Sequence, residues 1–528
     1  MNFRKYIILG CVAAAMGVSS CVDDLNVEPE NATTKTELTS KEDYLGLIAR
    51  AYGGLVFEGG VQVKDEGRAI YTRLIWNLEE LGTDEVVLGD NWKDAGVPEV
   101  KANNAGPDNR MLYEAFSRLN YQIALTNSVL KAIDGASAYG ITDAQIKEFK
   151  AEMRVLRALS YYHMIDIFGK GPWVTTNHPI GAIPPTYSRE KLFEAVTADL
   201  ADAIPDVPKA AEQLYGRVSR EAARMLLAKL YINAEVYLGP GNGMWQEAAD
   251  QLKEIQKSIA WDPSIEYKYL FCATNDKYVG NGEILWAVPQ DANTMQTYGG
   301  TTYLSVGAYN SKVNTLPYGC AGDQWAGPRV ALKLSQALKS TDRRRLIFEG
   351  KLHEDITPAD MQDWPENGGG FMCVKYVFTP EDNYTNAGGL NTAATAFNST
   401  DYPLFRLADA YLMLAECEKH GATGCDGLAR FNDVRLRAGA APVGSYTLDD
   451  LLAERMCELY WEGHRRSDLI RFGKYTGSDY TWPWKSGVYE GAAIAEYRSL
   501  YAIPVAFEET LGQNPGYPTG LSFSVEEE

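Results

Sequence analysis

The sequence predicts a mainly α-helical fold, in which tetratricopeptide-like helix pairs pack against a loop-rich, irregular half with short β-strands. Three observations predict it. Long stretches repeat apolar residues at the helical period and are separated by short breaks. One central stretch, rich in Gly, Tyr, Asn and Thr, lacks that period. No Pro-, Gly- or Ser-rich linker divides the chain, so we expect residues 41–528 to form a single domain.

The first 20 residues are typical of a bacterial lipoprotein signal. Arg4 and Lys5 precede a short apolar stretch, 6–18, which is too short to span a bilayer. The sequence VSSC at 18–21 is typical of a lipobox, in which Cys21 is lipidated and becomes the first mature residue. A plain signal with an incidental cysteine is the alternative. Two acyl chains suffice for stable anchoring, and we interpret the polar residues 21–40 as a tether.

Helical pairs are expected over about 109–260 and 401–473. Ser219 is placed to cap one helix, and Gly239-Pro240-Gly241 is placed to stop it. Alanines at the crossings would let helices approach closely, as in tetratricopeptide repeats, although a generic helical bundle fits the same pattern. The predicted helices are 109–133, 149–168, 189–204, 220–237, 245–259, 404–420, 427–438 and 448–472.

The stretch 261–398 is interpreted as an irregular insert that carries ligand contacts. Its β-like runs are short, EILWAVP at 283–289 and MCVKYVF at 372–378. Binding residues concentrate on loops that a rigid scaffold holds in place. We therefore expect the helices to be scaffold and this insert to contribute to a binding site.

The composition argues against several ligand classes. Asp and Glu number 70 against 50 Lys and Arg, which gives a formal net charge of −20. That balance disfavours nucleic acid, anionic polysaccharides and lipid headgroups, and it favours a neutral ligand. Six cysteines remain beyond Cys11 and Cys21, and they do not resemble a disulfide framework. We expect Cys417 and Cys457 to be small core residues.

The sequence predicts no enzyme. Three glutamates fall on one helical face at i, i+4 spacing, but four arginines lie near them and predict an ion-paired helix rather than an active site. The glutamates are Glu454, Glu458 and Glu462, and the arginines are Arg455, Arg465, Arg466 and Arg471. The five histidines show no HExxH pattern or zinc spacing, and GxSxG and Walker A motifs are absent. His163 and His464 are expected to be structural residues within helices.

Five motifs, in this order along the chain, resemble the SusD/RagB family of Bacteroidetes lipoproteins. They are RALSYYHMIDIFGK (157–170), DYPLFRLADAYLMLAE (401–416), EGHRRSDLIRFG (462–473), YAIPV (501–505) and QNPGY (513–517). Shorter motifs resemble the starch-binding member of that family, namely LGTDE (81–85), YGGTTYL (298–304) and DYTWPWK (479–485). The acidic pair Asp23 and Asp24 is similar to the surface-export signal of such lipoproteins.

The resemblance implies a surface-exposed lipoprotein of the outer membrane. Its lipid anchor would be its only contact with the membrane. The resemblance also implies that the protein binds a glycan without catalysis and delivers it to a SusC-type TonB-dependent transporter. Starch or malto-oligosaccharide is the expected ligand. Another neutral glycan, or a role for the helical repeats in protein interaction, are the alternatives.

A glycan site is expected where aromatic rings stand beside planar polar groups, because sugar C–H faces pack on rings while hydroxyls pair with Arg, Asn or Asp. The resemblance and this chemistry indicate six residues, Arg73, Asn91, Trp92, Asp94, Tyr298 and Trp325. Asp94 departs from the family pattern, which has an amide near that position. An arc of three rings would suit the curl of an α-1,4-glucan, although ordinary packing of each ring is the alternative. We expect Trp286, Trp461, Trp482 and Trp484 to be mostly core residues.

No cofactor is expected. The resemblance to the starch-binding member implies that Asp276 and Asp426 lie where carboxylates of a structural calcium site would be. Neither of their loops has the alternating acidic residues of a strong hard-cation site, so both are weak metal candidates.

Overall fold

The computed structural model describes residues 37–59, 67–89, 92–178, 182–280, 282–310, 318–349, 355, 371–382 and 395–520. Sixteen α-helices and eight short strands lie in these residues, so the predicted mainly α-helical class is confirmed. The signal sequence, Cys21 and most of the tether fall outside the described residues, and so does Asn91. The division of the chain into one domain stays a prediction.

The first half of the described chain is mostly helical. Its helices are α1 Lys41–Gly53, α2 Tyr71–Glu80, α3 Val97–Lys101, α4 Arg110–Ala132, α5 Asp143–His163, α6 Arg189–Ala203, α7 Arg220–Ile232, α8 Ala234–Leu238 and α9 Trp245–Ser258. Its strands are β1 Val86–Leu88, β2 Gly171–Pro172 and β3 Thr186–Tyr187. The side chain of Ser219 accepts from the backbone N–H of Ala222 and caps α7, as predicted.

The second half alternates strands and helices before a final helical group. Its strands are β4 Ile284–Val288, β5 Pro328–Val330, β6 Ile347–Phe348, β7 Met372–Cys373 and β8 Tyr402–Arg406. Its helices are α10 Gly300–Val306, α11 Leu332–Ala337, α12 Leu407–Lys419, α13 Gly427–Arg437, α14 Leu448–Leu459, α15 Arg465–Arg471 and α16 Val505–Leu511.

Helices that follow one another in the chain pack as neighbours. The strongest packing joins α4 to α5, α7 to α9 and α12 to α13, and α9 also packs against α12. The last contact joins the two helical groups, and their apolar faces share one buried core with the strands β4 and β8. The tetratricopeptide-like geometry of the pairs stays a prediction.

The predicted helix 404–420 starts too early, because its first residues belong to a strand. Residues 402–406 form β8 instead of the start of α12, and they pair antiparallel with β4 from Ile284 and Arg406 to Val288 and Tyr402. A short apolar run fits a buried strand as well as a helix, so periodicity could not separate them. The run 372–378 contributes only the two-residue strand β7.

The predicted helix 448–472 is two helices, because the chain turns at 460–464. Trp461 and Gly463 have left-handed φ values of 63° and 76°, which a helix does not accommodate. The carboxylate of Glu80 accepts from the backbone N–H groups of Gly463 at 2.7 Å and His464 at 3.3 Å. The predicted helix 220–237 is likewise interrupted, at Asn233, and 149–168 ends in a π-helical turn over Met164–Phe168.

The three glutamates of α14 and its following turn lie in a buried ion-pair network, as predicted, but with other partners than those expected. Glu454 pairs with Arg344, Glu458 with Arg406, and Glu462 with Arg406 and Lys375. The four arginines of the same segment instead pair with acids elsewhere. Arg455 pairs with Asp409 and Asp468, Arg465 with Asp84, Arg466 with Glu79, and Arg471 with Glu416 and Asp468.

The described cysteines, together with His163 and His464, are enclosed by the fold. All six described cysteines are buried, namely Cys272, Cys320, Cys373, Cys417, Cys425 and Cys457. The hydroxyl of Tyr71 lies 2.7 Å from Nδ1 of His163. His464 precedes α15 rather than lying within a helix, and burial, with nearby Lys229, lowers the pKa of both histidines to about 3. No described helix combines the length and the hydropathy that a bilayer span requires.

Candidate functional site

An antiparallel strand pair brings two distant tryptophans together. β1 and β5 pair in the register that sets Val86 against Val330 and Leu88 against Pro328. Trp92 follows β1 and Trp325 precedes β5, so the pairing of these two strands brings the two indoles side by side. Their ring centroids are 6.2 Å apart and their planes are inclined at 48°.

A third ring extends this pair into a curved aromatic surface. Tyr298 immediately precedes the short helix α10, and its ring centroid lies 5.7 Å from that of Trp325 with planes inclined at 56°. Phe397 continues the series at 5.1 Å from Tyr298. Each ring is turned by about half a right angle from its neighbour, so the rings form an arc rather than a flat platform. Trp92 and Trp325 are half-buried, and Tyr298 is 39% exposed.

An ion pair stands beside the arc. Nη2 of Arg73, near the start of α2, donates to Oδ2 of Asp94 at 2.7 Å. The Arg73 side chain is 5% exposed and that of Asp94 is 31% exposed. Arg73 is held from below by the ring of Tyr303, whose centroid lies 4.1 Å from Cζ. The guanidinium is therefore fixed while the carboxylate of Asp94 still meets solvent.

These groups line one open cavity of about 540 Å³. Its walls are formed by Arg73, Trp92, Asp94, Tyr298, Val306, Ala321, Gly322, Asp323, Trp325 and Ala396. The size is within the range of small-molecule sites. Aromatic rings on one side and carboxylates with a guanidinium on the other give a surface that can stack a sugar ring and hydrogen-bond its hydroxyls.

Close backbone contact holds the segment that carries Trp325. Its N–H donates to the carbonyl of Val306 at 3.1 Å, and the N–H of Gly327 donates to Gly307 at 2.7 Å. A Cβ at Gly327 would lie 2.3 Å from Cε3 and Cζ3 of Trp92. Only glycine therefore lets the Trp92 ring rest against this backbone.

The structure brings five of the six expected site residues into the cavity, namely Arg73, Trp92, Asp94, Tyr298 and Trp325. That each contacts a glycan stays a prediction. The sequence reasoning missed Tyr303, Phe397 and Asp323. Tyr303 lies in YGGTTYL, so its motif was visible but its role was not. Phe397 and Asp323 carried no signal in the sequence, because only the fold brings Asp323 to the cavity wall and Phe397 against Tyr298.

The metal candidates lie in different settings. Asp276 is in the 3₁₀ turn Asn275–Tyr278, and Asp426 precedes α13 with a left-handed φ of 52°. Among the residues that the structure describes, no three His, Cys, Asp or Glu side chains are grouped as a metal site requires. A calcium site at these residues stays an untested prediction.

Two family models match the chain. The model described as the SusD family matches residues 347–512, and one described as "Starch-binding associating with outer membrane" matches residues 68–232. The chain is 29% identical to the starch-binding protein SusD of Bacteroides thetaiotaomicron, over 95% of this chain and 96% of that protein. It is 26% identical to a SusD-like protein of Bacteroides ovatus, over 90% of this chain and 83% of that protein.

Solved structures share the fold. Surface glycan-binding protein A from Bacteroides thetaiotaomicron, in complex with laminarihexaose, matches with a TM-score of 0.70 and 21% identity, over 90% of this chain and 100% of that chain. A laminarin binding SusD-like protein matches with a TM-score of 0.67 and 20% identity, over 91% of this chain and 100% of that chain.

Proposed function

Because this chain belongs to the SusD family, we propose that it binds a neutral glycan at the bacterial surface without catalysis. The observation that carries the proposal is the meeting of Arg73, Trp92, Asp94, Tyr298 and Trp325 in one open cavity. These residues come from three segments that are far apart in the sequence. Ordinary core packing would not leave three aromatic rings around a cavity of about 540 Å³.

The proposed ligand is starch or a malto-oligosaccharide. Successive rings inclined at 48° and 56° match a glucan that curls, whereas a flat β-1,4 chain would touch one ring at a time. The likeness to SusD, a starch-binding protein by name, supports the same ligand. A second candidate is a β-1,3-glucan, because neighbours in fold are named for laminarin and laminarihexaose and this polymer also curls.

The charges of the cavity support a neutral ligand. Arg73 is neutralised by Asp94, and Asp323 adds a carboxylate on the wall, within a chain of net charge −20. A uronic acid or a sulfated sugar is negatively charged, and the negative charge of the cavity wall and of the chain would repel it.

We further propose that Cys21 carries a lipid anchor, which holds the protein at the outer face of the outer membrane. There it would deliver glycan to a SusC-type TonB-dependent transporter. The family description "associating with outer membrane" supports this location. Replacing Cys21 by Ser should move the protein from the membrane fraction to the soluble fraction, and unchanged membrane association would contradict the anchor.

Affinity electrophoresis tests the ligand. Wild type should be retarded by amylopectin, and Trp92→Ala and Trp325→Ala should each lose most of that retardation. Trp245→Ala is the matched control, since Trp245 is half-buried and stacks on His420 outside the cavity. Retardation by laminarin alone would replace starch with a β-1,3-glucan, and retardation by no polysaccharide would favour a protein-interaction role. Release of reducing ends from starch would contradict a non-catalytic function.

A further inference from the structure

Tyr303 lies beneath the cavity and contacts its polar side. The ring belongs to α10 and is fully buried. The guanidinium of Arg73 stands over its face, with Cζ 4.1 Å from the centroid. The hydroxyl donates to Oδ1 of Asn77 at 2.8 Å. Arg73 and Asn77 are four residues apart in α2, so one helix face holds both the ring and its hydroxyl.

The Tyr303 ring also contacts the aromatic side of the cavity, at Trp92. The edge of Trp92 meets it at a centroid distance of 6.0 Å and an interplanar angle of 65°. Trp76 packs on it from the core at 5.6 Å and 83°, and Trp76 in turn packs on Trp461 at 5.3 Å. Edge-to-face pairs of this kind fix the relative angle of two rings. Tyr303 thus packs on the core residue Trp76 and also contacts both Arg73 and Trp92.

We propose that Tyr303 is a positioning residue of the glycan site, which sets the angle between the Arg73 guanidinium and the Trp92 indole without contacting the sugar. This inference rests on the proposed function. Arginine has several rotatable side-chain bonds, so a guanidinium held by Asp94 alone could point in several directions. The ring removes that freedom because a desolvated cation–π contact favours one orientation.

The hydroxyl of Tyr303 fixes the position of its ring through the hydrogen bond to Asn77. Burial raises the pKa of Tyr303 above its ordinary value, so the hydroxyl stays protonated and donates to Asn77 at neutral pH. Without this bond the ring can slide along α2, and its two contacts shift together. Loss of the hydroxyl should therefore weaken glycan binding measurably. Loss of the whole ring should weaken it more.

The test measures maltoheptaose and laminarihexaose affinity by calorimetry, and the near-ultraviolet circular dichroism that arises from the coupled Trp92 and Trp325 indoles. Trp92→Phe identifies that signal. We expect about a threefold loss of affinity for Tyr303→Phe and at least tenfold for Tyr303→Leu, with the indole signal reduced in the same order. Tyr446→Leu is the matched control, because Tyr446 is buried and donates to Ala415 at 2.8 Å.

A double-mutant cycle uses variants that keep the ring. Asn77→Ala and Tyr303→Phe remove the same bond, so the double variant should lose no more affinity than either single variant. Additive losses would overturn the role of the hydroxyl. Wild-type affinity and an unchanged indole signal in Tyr303→Leu would overturn the proposal, and so would an equal loss in Tyr446→Leu.

Failure of the proposed function gives a different result. If wild type binds neither oligosaccharide, the glycan proposal is wrong, whereas the indole signal of the unliganded variants still reports whether Tyr303 positions Trp92. An unchanged signal in both Tyr303 variants, together with no binding by wild type, would refute both.

Discussion

Asp84 and Arg465, which are 381 positions apart in the chain, form a buried bidentate ion pair. Nε and Nη2 of Arg465 donate to the two carboxylate oxygens of Asp84 at 2.7 and 2.8 Å. The pair joins the LGTDE turn after α2 to the start of α15. The ion pair thus joins LGTDE, which resembles the starch-binding member, to EGHRRSDLIRFG, which resembles the SusD/RagB family, and the LGTDE turn leads into β1 and the cavity.

Asp84→Asn should lower the free energy of unfolding by about 3–5 kcal/mol, because it leaves the buried guanidinium of Arg465 without its charge partner. Urea denaturation followed by far-ultraviolet circular dichroism measures the change. The control is Asp206→Asn, which breaks the exposed pair with Lys147 and should cost less than about 1 kcal/mol. Equal losses in the two variants would show that the Asp84 pair does not stabilise the fold.

Stability should fall as the pH rises from about 6.5 to above 8. Burial raises the pKa of Glu79 and of Glu85 to about 8, above the value of about 4.3 in an unfolded chain. The folded state thus holds protons that the unfolded state has lost, and the stability they give disappears as the pH passes through 8. Each such proton contributes a slope of about 1.4 kcal/mol per pH unit.

The two buried histidines should oppose this pH dependence of stability at lower pH. The pKa of His163 and of His464 is about 3 in the folded state, so their contribution is present above the unfolded value of about 6.5 and is lost as the pH falls. Between about 4.5 and 6.5 the two effects oppose each other, so stability should change less steeply with pH there than between 6.5 and 8. Glu85→Gln should reduce the alkaline slope, whereas the exposed Glu212→Gln should not. A stability that rises between pH 6.5 and 8 would contradict the assignment.

Gly327→Ala should weaken glycan binding at least tenfold while the protein stays folded. The new Cβ would overlap the Trp92 ring, since it would lie 2.3 Å from Cε3 and Cζ3, and the half-buried ring can move outward. Calorimetry with maltoheptaose measures the loss. Gly444→Ala is the control, because no heavy atom lies within 4 Å of its Cβ position. An unchanged affinity in Gly327→Ala would show that Trp92 does not need its present position.

Binding of a neutral glycan should be insensitive to salt. The cavity holds the charges of Arg73, Asp94 and Asp323, but an uncharged ligand gains its affinity from stacking and from hydrogen bonds, which salt screens little. Affinity for maltoheptaose measured at about 0.02 and 0.5 M NaCl should agree within twofold. A drop of tenfold or more would indicate that the natural ligand carries charge.

Local sequence signals were enough to predict several helices. The observed α4, Arg110–Ala132, and α9, Trp245–Ser258, begin and end within one residue of the predicted bounds, because apolar period and helix breakers act within a few residues. Residue chemistry and the family resemblance also predicted the five residues that the structure brings into one cavity, and their contact with a glycan stays a prediction. Residue chemistry and the family resemblance were enough to select these candidates.

How those residues meet depends on long-range packing. The turn at 460–464 depends on carboxylates of Glu80 and Glu85, which accept from the backbone N–H groups of Gly463 and Trp461 and which no local pattern announces. Trp92 and Trp325 are adjacent because β1 pairs with β5, and Tyr303 reaches both Arg73 and Trp92 because α10 packs on α2. Such contacts are set by the packing of distant segments, so they appear only when the whole chain has folded.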